Sequence, residues 1–272
     1  MIKNGIKALW ADGKPAINGW LSTSNAFVAE IMAAQGFDSL TVDLQHGFVG
    51  YEAATAQLQA MRASGVTPMV RVPWLDPADI MKALDAGAYG IICPMINTGE
   101  DAARLVSYMK YPPHGVRSFG PTRAVFAAGA DYGQHADNEL LSFAMIETAD
   151  GMKNLDAIVN TKGLDGVYIG PADLTLGLTG RKYPTGFDRQ EPEIIEAIQT
   201  IIAKAHGAGI KAALHCGAPA YATKAIGWGI DLVTLSNDVR LLAAAAQAAV
   251  ANTRKLLGGE ATEARPASSS GY

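Results

Sequence analysis

Leu141-Ser142-Phe143-Ala144-Met145-Ile146-Glu147 and, one helical segment later, Gly166-Val167-Tyr168-Ile169-Gly170-Pro171-Ala172-Asp173 are apolar runs that each close on an acid. A short apolar run between turn residues reads as a strand buried on both faces. Runs of the same character lie at residues 15–20, 39–43, 68–72, 90–95, 211–215 and 232–236. Helical-period segments separate them at 26–36, 51–64, 77–87, 155–162, 192–209 and 219–229. Several of these open on Pro or a polar cap and close on Gly, the asymmetry of helix ends. Strands alternating with helices call for a parallel sheet covered by helices, and eight of them favour a (β/α)8 TIM barrel over an open sheet. An open Rossmann sheet would want Gly-x-Gly-x-x-Gly after its first strand, and none stands there.

The 272 residues suit one barrel of about 250, and a single domain over 1–257 is expected. Residues 258–272, rich in Gly, Ser, Ala and Glu, read as a poorly ordered tail outside the fold. A net charge of −4 without a basic block argues against nucleic acid as a partner. No run approaches the roughly 20 apolar residues that span a bilayer, and the first residues lack a secretory h-region. Cys93 and Cys216 sit in apolar surroundings and read as buried, reduced thiols of a cytoplasmic protein. The stretch 97–138 is too long for one crossover. Its first part, 100–110, reads as the helix; the Gly- and Pro-rich remainder, with Arg117 and Arg123, reads as a long loop between strands four and five that serves the barrel mouth as a lid or substrate contact.

A carboxylate ending an apolar strand needs a partner, and two on consecutive strands can be satisfied by one hard divalent cation. Each alone could be a helix N-cap. Together, with His46 and Arg71 at the ends of strands two and three, they favour a metal site at the face where such barrels keep their chemistry. His46, with Asp43 three residues upstream to orient it, reads as an acid/base. Arg71 is either a structural ion-pair partner or a guanidinium that holds an enolate or carboxylate oxygen. Trp20 ends strand one as core or as a wall of the pocket. Asp85 stands on a helix and by itself reads as surface. Gly170-Pro171-Ala172-Asp173 offers backbone N–H groups at a helix start, a seat for a substrate carboxylate. Strands seven and eight reach His215, Ser236 and Asn237. Lys211 begins strand seven, the wrong end for a Schiff base.

These residues resemble the metal-dependent (class II) pyruvate aldolases of the HpcH/HpaI type, typified by 4-hydroxy-2-oxoheptanedioate aldolase. The likeness rests on Asp43-x-x-His46-Gly47, Val70-Arg71-Val72-Pro73, Ala86-Gly87-Ala88-Tyr89-Gly90, Pro112-Pro113-x-Gly115-x-Arg117, Ile146-Glu147-Thr148 and the whole of Gly166 to Leu174. The resemblance implies Mg²⁺, Mn²⁺ or Co²⁺ held by Glu147 and Asp173, with pyruvate chelating the ion and its carboxylate on the backbone at Ala172 and Asp173, beside Gly170. It implies His46 as acid/base with Asp85 raising its basicity, Arg71 at the developing enolate, and an aldehyde as second product. It also implies a homo-oligomer, trimer or hexamer, with a C-terminal helix swapped between subunits. Two positions depart from the family pattern: Met145 replaces a pyruvate-contacting Gln, and Gln45 replaces a Glu before the histidine. The competing expectations are a citryl- or malyl-CoA-type lyase and a non-catalytic barrel that binds a keto acid.

Overall fold

Strands β1 (Ala16–Leu21), β2 (Ser39–Asp43), β3 (Thr67–Arg71), β4 (Gly90–Cys93), β5 (Leu141–Ile146), β6 (Gly166–Ile169), β7 (Lys211–Cys216) and β8 (Leu232–Leu235) pair in parallel and close into a barrel in that order. The seam is β1 on β8, with Ala16 opposite Leu232 and Asn18 opposite Thr234. The structure is a computed structural model and describes residues 1–258. The helices are α1 (Gly5–Ala11), α2 (Ala26–Ala33), α3 (Tyr51–Ala60), α4 (Pro77–Asp85), α5 (Gly99–Met109), α6 (Ala124–Ala128), α7 (Tyr132–Glu139), α8 (Ala149–Lys153), α9 (Leu155–Val159), α10 (Pro171–Thr179), α11 (Pro192–Gly207), α12 (Pro219–Gly227) and α13 (Asp238–Leu256). Expected strand ends run one or two residues long at several places, because residues such as Glu147, Gly170 and Ser236 already belong to the following connection.

Alternation along each strand separates two cores. One set of side chains faces the helices; the other, including Trp20, Met69, Ile92, Phe143, Met145 and Tyr168, fills the barrel interior. Local chemistry marks where the helices start. Asn25, Asp76 and Asn237 accept backbone N–H bonds as N-caps, and Thr98 and Asp101 form a reciprocal capping box; each such cap stabilises by about 1 kcal/mol. Helix α1, absent from the sequence-based expectation, is capped by Asn4 and places Ile6 in the interior cluster. The N-terminal end of the barrel is thereby plugged, which leaves the C-terminal mouth for chemistry.

The long β4–β5 connection corrects the expectation of a lid. Helix α5 carries the chain back to the N-terminal face, and the segment through α6 and α7 stays there: Ile2 N–H bonds the Ala128 carbonyl at 2.6 Å and Asn4 Nδ2 the Glu139 carbonyl at 2.8 Å. Arg123 donates to the carbonyls of Ala86 and Leu58. Arg117, 3% exposed, bonds Asp85 at 2.6 Å and the Tyr132 hydroxyl at 3.1 Å. Both arginines cap and fasten helices within their own chain rather than guard its mouth.

Helix α13 leaves the barrel. Asp238 is its one buried residue, and 241–258 are exposed throughout. No described helix is long and apolar enough to cross a membrane. The tail expected at 258–272 lies, beyond Gly258, outside the described residues.

Candidate active site at the barrel mouth

Asp43 and Arg71 face each other across the β2–β3 ladder, where their Cα positions are paired. Arg71 Nε donates to Asp43 Oδ1 at 2.8 Å and Nη2 to Oδ2 at 2.7 Å, with both residues 1% exposed. Trp20 Nε1 donates to Oδ2 at 3.2 Å, and the Trp20 ring lies 4.8 Å from the guanidinium carbon. Burial alone would raise the Asp43 pKa. The Arg71 bonds and charge, with Trp20 and the Gln45 N–H, outweigh it and hold the carboxylate below its ordinary value. Asp43 Oδ1 also receives the backbone N–H groups of Gln45 and His46, at 3.1 and 3.3 Å. Its role is therefore to lock Arg71 and shape the loop that carries His46. Trp20, 1% exposed, is interior core beneath the arginine.

Glu147 follows β5 directly and is 2% exposed. Its Oε1 accepts the Met95 N–H at 2.8 Å, which Met95 presents from a left-handed conformation (φ 56°) just past β4. Such a backbone costs a non-glycine residue about 1–2 kcal/mol, and here it aims a donor at the carboxylate. Burial, with Asp173 adding its negative charge, pushes the Glu147 pKa up to about 7 despite the Met95 N–H and Arg71. Asp173 lies in the first turn of α10, close enough for the two carboxylates to feel each other. Gly170 is the N-cap of that helix, and a Cβ there would fall 2.6 Å from both Glu147 Oε2 and the Met145 methyl. Glycine is thus what lets the β6 end approach the acid. Met145 is 2% exposed and fills the space beside it.

This donor set fits a hard divalent cation: two carboxylates, one of them under-compensated in a buried setting, on adjacent strand ends. Among the described residues no third His, Cys, Asp or Glu joins them in a cluster, so water and substrate would complete the shell. Ala172 is buried, and α10 has no side-chain cap on its first N–H groups. That leaves them available to an anion.

His46 stands exposed at the mouth. Desolvation first, then Arg71, lowers its pKa against the opposing pull of Asp43 and Asp173, so the ring is neutral near pH 7. These same charges place Asp43, His46, Arg71, Glu147 and Asp173 around one mouth. Asp85 is not among them. It ends α4, at the opposite face from the strand C-termini, and is spent on Arg117. Within one chain it does not reach His46, because a helix returns the polypeptide to the barrel's other end. Lys211, held by Asp231 at 2.8 Å, is likewise at that end. The Cys93 and Cys216 thiols are buried and their pKa values are pushed up, which rules them out as nucleophiles at neutral pH.

Two mouth residues carried too little signal in the sequence to be assigned a role. Asp238 opens α13 and takes the Ser22 N–H at 2.8 Å and the Thr23 hydroxyl at 2.6 Å, tying the β1 turn to β8. His215, one residue before the end of β7, is 6% exposed, and its place at the C-terminal end of a strand was its only clue.

A family model described as HpcH/HpaI aldolase/citrate lyase matches residues 17–245. The chain is 39% identical to a hydroxypyruvate/pyruvate aldolase of Rhizorhabdus wittichii, over 93% of this chain and 100% of that protein. It is 33% identical to a 4-hydroxy-2-oxo-heptane-1,7-dioate aldolase of Shigella sonnei, over 97% and 99% of the two chains. A crystal structure of an HpcH/HpaI aldolase/citrate lyase family protein from Burkholderia cenocepacia superposes with a TM-score of 0.85 at 31% identity, covering 93% of this chain and 100% of the other. The matched span takes in every mouth residue from Asp43 to Asp238, and the chain belongs to the HpcH/HpaI aldolase/citrate lyase family: it is a carbon–carbon lyase, an aldolase.

Proposed function

We propose that the enzyme is a divalent-metal-dependent aldolase that reversibly cleaves a 4-hydroxy-2-oxo acid to pyruvate, or a close 2-keto acid, and an aldehyde. The observation that carries this reading is Glu147: a buried carboxylate with a pKa pushed up to about 7, beside a second acid and within reach of Arg71's charge. Glu147 and Asp173 would hold the ion, and when bound a Mg²⁺-, Mn²⁺- or Co²⁺-type cation supplies a Lewis acid for the keto oxygen.

The chain's own groups account for the rest. First-turn N–H groups of α10, at Ala172 and Asp173 beside the Gly170 N-cap, seat the substrate carboxylate. His46 accepts the proton of the 4-hydroxyl. The C3–C4 bond then breaks, its electron pair moves into an enolate, and the former C4 carbon leaves as the aldehyde carbonyl. Arg71, unable to turn because Asp43 holds it by two bonds, offers fixed positive charge to the enolate oxygen. His46 returns its proton to C3. Met145 contributes apolar surface where an amide would have donated a hydrogen bond.

A homo-oligomer, trimer or hexamer, with α13 packed on a neighbour, is part of the proposal. It is supported by Leu242 and Leu256 at 70% and 87% exposure on a helix that its own barrel does not cover, and by Leu257 at 81% just past its end. The deciding experiment is dialysis against EDTA followed by an assay of pyruvate release from 4-hydroxy-2-oxo acids. Cleavage should vanish and return with Mg²⁺, Mn²⁺ or Co²⁺, and Glu147→Ala and Asp173→Ala should not be rescued. Full activity after chelation would reject the metal role.

A further inference from the structure

His215 has a buried polar atom that the chemistry above leaves unused. Its ring stacks on Phe187, with centroids 4.2 Å apart at 29°, and meets Trp20 edge-on at 4.9 Å. Nδ1 lies 3.2 Å from the Tyr168 hydroxyl, which is 2.7 Å from Thr234 Oγ1, which in turn accepts from Asn18 Nδ2 at 2.9 Å. Nε2 is shielded from solvent and has no hydrogen-bond partner among the described residues.

Counting hydrogens gives this relay a direction. Asn18 takes one lone pair of Thr234 Oγ1, and the Thr234 proton has the Tyr168 oxygen as its acceptor, which turns the Tyr168 proton toward Nδ1. Reversing the last two bonds would leave the Thr234 hydroxyl proton, at 0% exposure, without an acceptor. A ring that accepts at Nδ1 carries its proton on Nε2. Burial pushes the imidazole pKa down to about 3, so the ring is neutral. Nε2–H is thus a fixed donor, and leaving it unpaired in the interior is destabilising. Phe or Leu would fill the same stack without that cost. The donor borders the active-site mouth: Trp20 touches both His215 and Arg71, and Arg71's charge acts on both His215 and Glu147.

We infer that His215 is a specificity-determining residue whose Nε2–H donates to a substrate hydroxyl, so that hydroxylated substrates are preferred to their deoxy counterparts. The inference rests on reading the mouth as the aldolase site. Two substrates can carry the hydroxyl: the 2-keto acid at C3, or the aldehyde beside its carbonyl. Phe187, covered in turn by Arg240 at 5.1 Å, covers a face of the imidazole and keeps bulk water from it, which strengthens a hydrogen bond made at its edge.

The test compares wild type, His215→Leu and His215→Gln, loaded with Mg²⁺ or Mn²⁺, on two matched pairs. One pair is hydroxypyruvate against pyruvate with a common aldehyde; the other is glycolaldehyde against acetaldehyde with pyruvate. His215→Leu should lower kcat/KM for the hydroxylated member of one pair by at least about tenfold, with its deoxy partner within about threefold. The affected pair identifies which substrate carries the hydroxyl, and His215→Gln, which keeps a donor, should recover part of the preference. Unchanged ratios in both pairs, or equal losses on all four substrates, overturn the inference. If His215→Leu does not fold, Tyr168→Phe removes the hydroxyl that fixes Nδ1 and reads the same ratio, and an unchanged ratio counts equally against it. Calorimetry with hydroxypyruvate and pyruvate on the metal-loaded protein separates the two readings. A His215-dependent preference in binding without any cleavage sinks the aldolase reading alone, and cleavage without preference in either pair sinks this one.

Discussion

Arg71 and Asp43 form two parallel N–H···O bonds, 2.8 and 2.7 Å long, across adjacent strands, and each residue is 1% exposed. A paired, buried guanidinium keeps its charge and loses its freedom to turn, which is what the role proposed for it at an enolate oxygen requires. The net contribution of such a pair to stability is small, because desolvation offsets the attraction, while breaking it strands a charge.

Asp43→Ala should therefore destabilise the protein by about 3–5 kcal/mol, and adding Arg71→Met should recover much of that loss. Denaturant unfolding of the single and double variants measures both. Similar destabilisation from the double and the single variant would mean that packing, not a stranded charge, sets the cost.

Glu147 gives a pH dependence in the metal-free protein. Its folded-state pKa of about 7 lies above the usual 4.5, so between these values the folded state holds a proton that the unfolded state has lost. The stability this contributes is complete below about pH 4.5 and is lost as pH rises through about 7. The difference corresponds to roughly 3 kcal/mol. Glu147→Gln should leave metal-free stability nearly unchanged at pH 4.5 and raise it at pH 8. Equal effects at both pH values, read by chemical denaturation, would contradict this assignment.

How far the sequence revealed these features depended on physical range. Parallel strands buried on both faces leave near-continuous apolar runs, so all eight were legible, and the acids closing two of them marked the mouth. Asp43 and His46 were legible as neighbours, yet sequence proximity did not show that the Asp43 side chain turns to Arg71, a partner 28 residues away. Arg117 and Arg123 looked like mouth residues because the helix before them, though recognised, was not followed to the end of the barrel it reaches. Helix α1 has Asn4 as its only clear signal, too little to outweigh a seven-residue length. His215's orphan nitrogen depends on Tyr168, Thr234 and Phe187, which only the closed barrel assembles.

His46 is expected to act on the proton and not on binding. His46→Ala should cut kcat by about 10²–10⁴-fold, while the affinity for oxalate, a stable mimic of the enolate, stays within a few fold of wild type. Turnover assays and calorimetry on metal-loaded protein read the two effects separately. A parallel collapse of oxalate binding would reassign the histidine to holding the ion or its ligand.

Helix α13 should be buried in the assembly. Leu242 and Val250, 70% and 51% exposed in the single chain, lie two turns apart on one side of it. Leu242→Asp with Val250→Asp should shift sedimentation toward smaller species and lower the thermal midpoint. An unchanged sedimentation coefficient would remove α13 from the interface.

Gly170 offers the sharpest test of the site's packing. Substitution by Ala would set a methyl 2.6 Å from Glu147 Oε2 and equally close to the Met145 methyl. Neither contact is tolerable, but they differ in kind. Met145 is flexible and apolar, whereas the Glu147 oxygen is pinned through the other arm of its carboxylate to the Met95 N–H. Gly170→Ala should weaken divalent-metal binding and lower kcat by at least about tenfold, as expected when a catalytic group is displaced by a fraction of an ångström. Adding Met145→Ala should relieve only the apolar clash, restoring stability while leaving metal affinity impaired. Metal affinity restored in the double variant would instead show that Met145, and not the carboxylate, sets the spacing at the end of β6.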